Sequence, residues 1–136
     1  RSLLDGHIVL SRKLADRGFR PQHVATSPLL RCRQTAQIIA DGVKGHPPTV
    51  PLDALGPESN LEPLLAWTND ETGKAEEVAW VGHAPDVGLL TAALVGEGMA
   101  AIHFSKGAVA AIEFDGRARA AAGELRWLLT AKMLGL

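Results

Sequence analysis

The chain has 136 residues, 46% hydrophobic and 21% charged, the balance of an ordinary soluble domain with enough residues to bury a core. A net charge of −1 supplies no basic field for nucleic acid, and the single cysteine, Cys32, excludes an internal disulfide and suits a reducing compartment. No apolar run nears the roughly 18 residues of a membrane span and no charged-then-apolar leader opens the chain, so a cytoplasmic globular protein is expected.

The first residues, RSLLDG, read like the interior of a domain, and a natural start upstream of Arg1 is expected. HIVLSRKLADRGF follows, with apolar residues at 8, 9, 10, 14 and 15 and Gly18 as a C-cap, a pattern that predicts an amphipathic helix. PQHVATS predicts a short strand ending at a Ser27-Pro28 corner. Pro28 is expected at the first helical position, where a missing N–H has no partner to lose, with Ser27 capping the first turn. The helix predicted over 28–43 places Leu29, Leu30, Ile38, Ile39 and Val43 on its apolar side. GHPPTVPLDALGPESN reads as proline- and glycine-rich connection, and LEPLLAWTNDE as a third helix with Pro63 in its first turn. EEVAWVGHAP predicts a buried strand running into a second corner, and DVGLLTAALVGEG a fourth helix. The segment from Lys106 to Leu134 predicts two strands in an antiparallel hairpin. The order α-β-α-α-β-α-β-β predicts a three-layer α/β sandwich, its central sheet mostly parallel and helices on both faces. Two parallel strands, 22–27 and 77–82, would then carry their loops to one edge, where ligands collect at the strands' carboxyl ends.

Arg31 stands just inside the helix that follows the Ser-Pro corner. A helix start attracts anions through its N–H groups and dipole, and a guanidinium matches phosphate oxygens bidentately. Arg33, two positions on, faces elsewhere and reads as surface. His83 ends a buried strand at the second corner, which makes it a candidate acid, base or phosphate ligand beside Arg31. His7, His23, His46 and His103 show no such setting. The histidines lack zinc-site spacing, and neither a G-x-S-x-G elbow nor a Walker-type loop is present. Cys32, in the second turn of a helix, reads as a buried, inert thiol.

SPLLRCRQTA resembles the S-P-x-x-R-x-x-Q-T-A signature of the histidine phosphatase superfamily, and VGHAP resembles its second-histidine motif. The longer segments LADRGFRPQHVATSPLLRCRQTA, EEVAWVGHAPDVGLL and KGAVAAIEF are similar, in order, to bacterial phosphohistidine phosphatases of the SixA type. The resemblance implies a phosphoglycerate-mutase-like fold over residues 1–136, as a single domain truncated at its N-terminus. The Arg-His-Gly motif that carries the family's nucleophilic histidine is absent from these residues, with Arg1 and Gly6 matching positions just downstream of it. Missing its opening strand, such a sheet would be left with a central slot. Residues 1–136 are therefore expected to bind oxyanions weakly, to turn over no phosphohistidine and to be less stable than a longer chain, with His7 and His103 the substitute nucleophiles if turnover is found.

The resemblance also implies a mechanism. A histidine attacks phosphorus and water hydrolyses the phosphohistidine, while cationic side chains hold the oxygens without a metal or other cofactor. Carried over by position, Arg31 clamps the phosphoryl oxygens, His83 donates to them, and the N–H of Ala84 adds a backbone donor. Imidazole, with a reference pKa of about 6.5, leaves easily from a phosphoramidate, whereas an alkoxide needs a positioned acid. The insertion after the arginine helix is short, and its glutamates, Glu58 and Glu62, read as solvated charges. A phosphohistidine-bearing protein in a signalling relay is the expected partner, with neither nucleic acid nor membrane. The rivals are a small-molecule phosphomonoesterase of the same superfamily and a non-catalytic phosphoryl-binding domain.

Overall fold

A computed structural model describes residues 6–12, 19–72, 75–96, 98–105 and 107–130, with the backbone alone for 10–12. Six strands form one sheet: β1 (His7–Arg12), β2 (His23–Thr26), β3 (Thr49–Pro51), β4 (Glu77–Gly82), β5 (Ala108–Glu113) and β6 (Glu124–Thr130). Their spatial order is β3-β2-β4-β1-β5-β6. The pairs β2/β3, β2/β4 and β1/β5 are parallel, and β1/β4 and β5/β6 are antiparallel. The predicted C-terminal hairpin is therefore present.

Successive strand side chains point to opposite faces, and the core divides accordingly. Val9, Val78, Trp80, Ala110 and Ile112 pack on one face with helices α2 (Leu61–Ala66) and α3 (Asp86–Val95). Ile8, Ala79, Val81, Val109 and Ala111 pack on the other with α1 (Leu30–Gly42). Three layers result, as the sequence pattern predicts. Residues 77–82 are buried throughout β4, which explains the apolar run from Val78 to Val81.

Trp80 is the largest fully buried side chain, and its Nε1–H donates to Thr68 Oγ1 at 2.9 Å. Trp80→Phe is expected to cost about 1–3 kcal/mol, because it opens a void and leaves a buried hydroxyl without its donor. A urea melt with unchanged m-value would measure that loss.

Five sequence expectations need correction. Residues 7–12 are a central strand, not the start of a helix. Ile8 and Val9 are each wholly buried but on opposite faces, which a strand allows and one helical stripe does not. The remainder of that expected helix, 13–18, lies outside the described residues. The expected open slot in the sheet is likewise filled, since β1 lies between β4 and β5.

α1 begins at Leu30, so Pro28 precedes the helix, and Ser27 Oγ accepts from the N–H of Leu29 at 3.3 Å instead of from the first turn. Leu29 and Leu30 are 48% and 60% exposed, whereas the buried stripe is Cys32, Thr35, Ala36, Ile39 and Ala40. Finally, the expected loop over 45–60 contains β3 and a 3-10 turn, Asp53–Leu55. The third helix forms where expected and widens into a π turn over Trp67–Glu71.

Candidate active site

The parallel pair β2/β4 delivers its two following loops to the same edge of the sheet. After β2, the N–H of Ser27 continues the ladder by donating to Val81 O at 2.8 Å. The chain then turns at Pro28 into α1, and Arg33 Nε donates to Pro28 O at 2.9 Å, bracing the corner from the exposed side. Arg31 is the second residue of α1, in a first turn that carries no acidic side chain to offset the helix dipole. After β4, His83 and Ala84 lead into α3, whose first turn is closed by Val87 N–H donating to His83 O at 2.8 Å.

A concavity of about 490 Å³ opens where these loops meet, lined by His7, Leu29, Leu30, Arg31, Cys32, His83 and Ala84. The structure thus brings Arg31, His83 and Ala84 to one cavity and keeps Arg33 on the solvent face. Glu58 and Glu62 line two other cavities. The N–H of Glu58 donates to Asp86 Oδ2 at 2.9 Å, which holds its backbone at φ +61°.

Sequence reasoning names His7 only as a substitute nucleophile, beside His103, and does not place it at this edge. Because β1 runs antiparallel to β4, His7 pairs with Gly82, the residue before His83. Gly6 makes that approach possible: its N–H donates to Thr35 Oγ1 at 3.0 Å, and a Cβ there would lie 2.8 Å from Val81 Cγ1. His7 Nδ1 lies 3.1 Å from Ser105 O, and a carbonyl only accepts, so Nδ1 carries the proton. The signal that could have found it was the β-branched run Ile8-Val9 beside a glycine, read with period two.

Beneath the cavity, Ser27 Oγ lies 2.8 Å from His83 Nε2, and Cys32 Sγ lies 3.6 Å from each ring nitrogen. Burial pushes the Cys32 thiol up from its ordinary value, with a partial offset from its hydrogen bond to Ser27. A thiol kept protonated is a poor nucleophile. In the folded chain at pH 8, Cys32 is expected to resist iodoacetamide, and to react once urea unfolds it. Stoichiometric labelling of the folded chain, read by mass spectrometry, would contradict this.

Comparison with known proteins agrees with the motifs. Residues 9–57 match the family model of the histidine phosphatase superfamily (branch 1). An uncharacterised protein of Picosynechococcus sp. is 37% identical over 81 residues, which are 59% of this chain and 48% of that protein. The chain therefore spans about half the length of the curated relative it matches. Among solved structures, the protein histidine phosphatase SixA complexed with tungstate superposes with a TM-score of 0.69 at 20% identity, covering 95% of this chain and 99% of that one. That likeness concerns the fold.

Proposed function

We propose that this chain, whose residues 9–57 match the family model of the histidine phosphatase superfamily, binds a phosphoryl group between Arg31 and His83 and serves in its removal from protein phosphohistidine. One observation carries the reading: two residues 52 positions apart in sequence, Arg31 and His83, line a single cavity at the carboxyl ends of adjacent parallel strands. The SixA structure holds tungstate, a tetrahedral oxyanion like phosphate. For this chain the guanidinium of Arg31 would take two oxygens, with His83 and the N–H of Ala84 donating to others. Such donors are already in place before charge develops in the transition state, which is the main source of rate in phosphoryl transfer.

The leaving group favours phosphohistidine. An imidazole departs with little help, and neither Glu58 nor Glu62 lines the cavity to protonate an alkoxide. Exposed Leu29 and Leu30 at the cavity mouth suit a protein surface better than a sugar. The discriminating experiment offers the chain a histidine-phosphorylated phosphotransfer domain and, separately, a panel of sugar phosphates, each with tungstate as competitor. Tungstate-sensitive release of the protein-bound phosphoryl group, with sugar phosphates ignored, is expected. Preference for a sugar phosphate would replace this reading with the phosphomonoesterase.

Attack by a histidine would have to come, among the described residues, from His7, the other imidazole lining the cavity. With Nδ1 donating to Ser105, the lone pair is on Nε2. An acid-labile phosphoryl group mapped to His7 would assign it the attack. Its absence from every histidine would leave these residues the binding half of the site.

A further inference from the structure

Three side chains meet below the phosphoryl cavity: Ser27, 0% exposed; Cys32, 1% exposed; and His83. A hydroxyl has one proton and two lone pairs to place. The N–H of Leu29 takes one lone pair of Ser27 Oγ at 3.3 Å. The Cys32 sulfur, whose hydrogen bond with Ser27 favours the thiolate, is only a weak acceptor for the hydroxyl. The hydroxyl proton then has one strong acceptor within reach, the imidazole nitrogen His83 Nε2 at 2.8 Å. A ring nitrogen that accepts carries no proton, so the neutral imidazole must hold its hydrogen on Nδ1.

We propose that Ser27 is a positioning residue that fixes His83 as the Nδ1–H tautomer, making Nδ1 the nitrogen that donates to a bound phosphoryl oxygen. The inference rests on the reading of the cavity as a phosphoryl site. It gives the Ser-Pro corner a purpose that helix capping does not, since α1 has no side-chain cap. Neutral His83 can then donate to an oxyanion without first acquiring a proton, and its ring is held by a group fixed to β2. The bond spans 56 residues of sequence and ties the two corners of the site together.

The test uses the full 136-residue chain, ¹⁵N-labelled, with the His83 ring assigned by its loss in His83→Gln. Long-range ¹H–¹⁵N spectra at a pH where the ring is neutral distinguish the tautomers, and tungstate titration reads the site. The wild type is expected to show Nδ1–H. Ser27→Ala should shift His83 toward Nε2–H and weaken tungstate about fivefold, the scale of one hydrogen bond. Ser27→Thr, which keeps the hydroxyl, should restore both. An Nε2–H ring in the wild type overturns the proposal, as does a Ser27→Ala chain with unchanged tautomer and unchanged binding. Should Ser27→Ala fail to fold, the wild-type and Ser27→Thr spectra decide. A wild type that binds no tungstate overturns the phosphoryl reading and the donor role with it, while its spectrum still judges the tautomer separately.

Discussion

Arg31→Ala is expected to weaken tungstate binding by roughly ten- to a hundredfold, while Arg33→Ala changes it by less than about twofold. The two arginines are two positions apart on the same helix and differ in direction. Arg31 lines the cavity, whereas Arg33 lies on the exposed side with its Nε donating to Pro28 O. Hydrogen bonds to charged groups contribute about 1.5–3 kcal/mol each, and about 1.4 kcal/mol is one decade of affinity. An exposed guanidinium with one backbone acceptor contributes little. Arg31→Lys separates charge from shape, because an ammonium keeps the charge but loses the two-pronged geometry, and it should fall between wild type and alanine. Isothermal titration of all four proteins at fixed salt checks the order. Similar losses for Arg31→Ala and Arg33→Ala would mean a diffuse basic surface and no clamp, and that outcome would sink the assignment.

What made Arg31 and His83 legible was local: each follows a short apolar strand ended by a proline-containing corner. Parallel strands bring their carboxyl ends together, so the pair could be placed at one edge without any view of the fold. His7, a substitute nucleophile by sequence, was not placed at that edge for the opposite reason. An apolar run at 8, 9 and 10 is compatible with a buried helix segment or a strand buried on both faces, and periodicity alone does not separate them. Only the sheet's demand for a residue on each face, Ile8 toward α1 and Val9 toward α2 and α3, decides for the strand. The start of α1 was misjudged by two residues because Ser27 has a stronger use for its hydroxyl than a cap. Its partner, His83, is too far along the sequence for any local rule to propose. Leu29 and Leu30 look like core by composition, yet they fall off the stripe at 32, 35, 36, 39 and 40 and rim the cavity instead.

The same substitution in two helices should have opposite signs. Replacing glycine by alanine within a helix ordinarily stabilises by up to about 1 kcal/mol, because the glycine backbone has more freedom to lose. Gly42 ends α1 with nothing within 4 Å of where a Cβ would stand, so Gly42→Ala is expected to raise Tm slightly. Gly88 is buried in α3, and a Cβ there would lie 2.3 Å from the backbone oxygen of Ile102 and 3.4 Å from its carbonyl carbon. Backbone atoms cannot rotate aside as a side chain can. Either α3 or the segment around Ile102 must move, and overpacking of that kind costs about 1–3 kcal/mol or more, which outweighs the propensity gain. Gly88→Ala should therefore lower Tm by something on the order of 5–10 °C. The displacement would reach the site as well. Leu90, Leu94 and Val87 seat α3 on the sheet, and Val87 N–H holds the carbonyl of His83, so a shifted helix drags His83 with it. Below its lowered Tm, Gly88→Ala should bind tungstate more weakly than Gly42→Ala, which should match wild type. Calorimetry and titration on the same samples test both halves. Equal melting temperatures for the two variants would show that α3 does not lie against Ile102 as described.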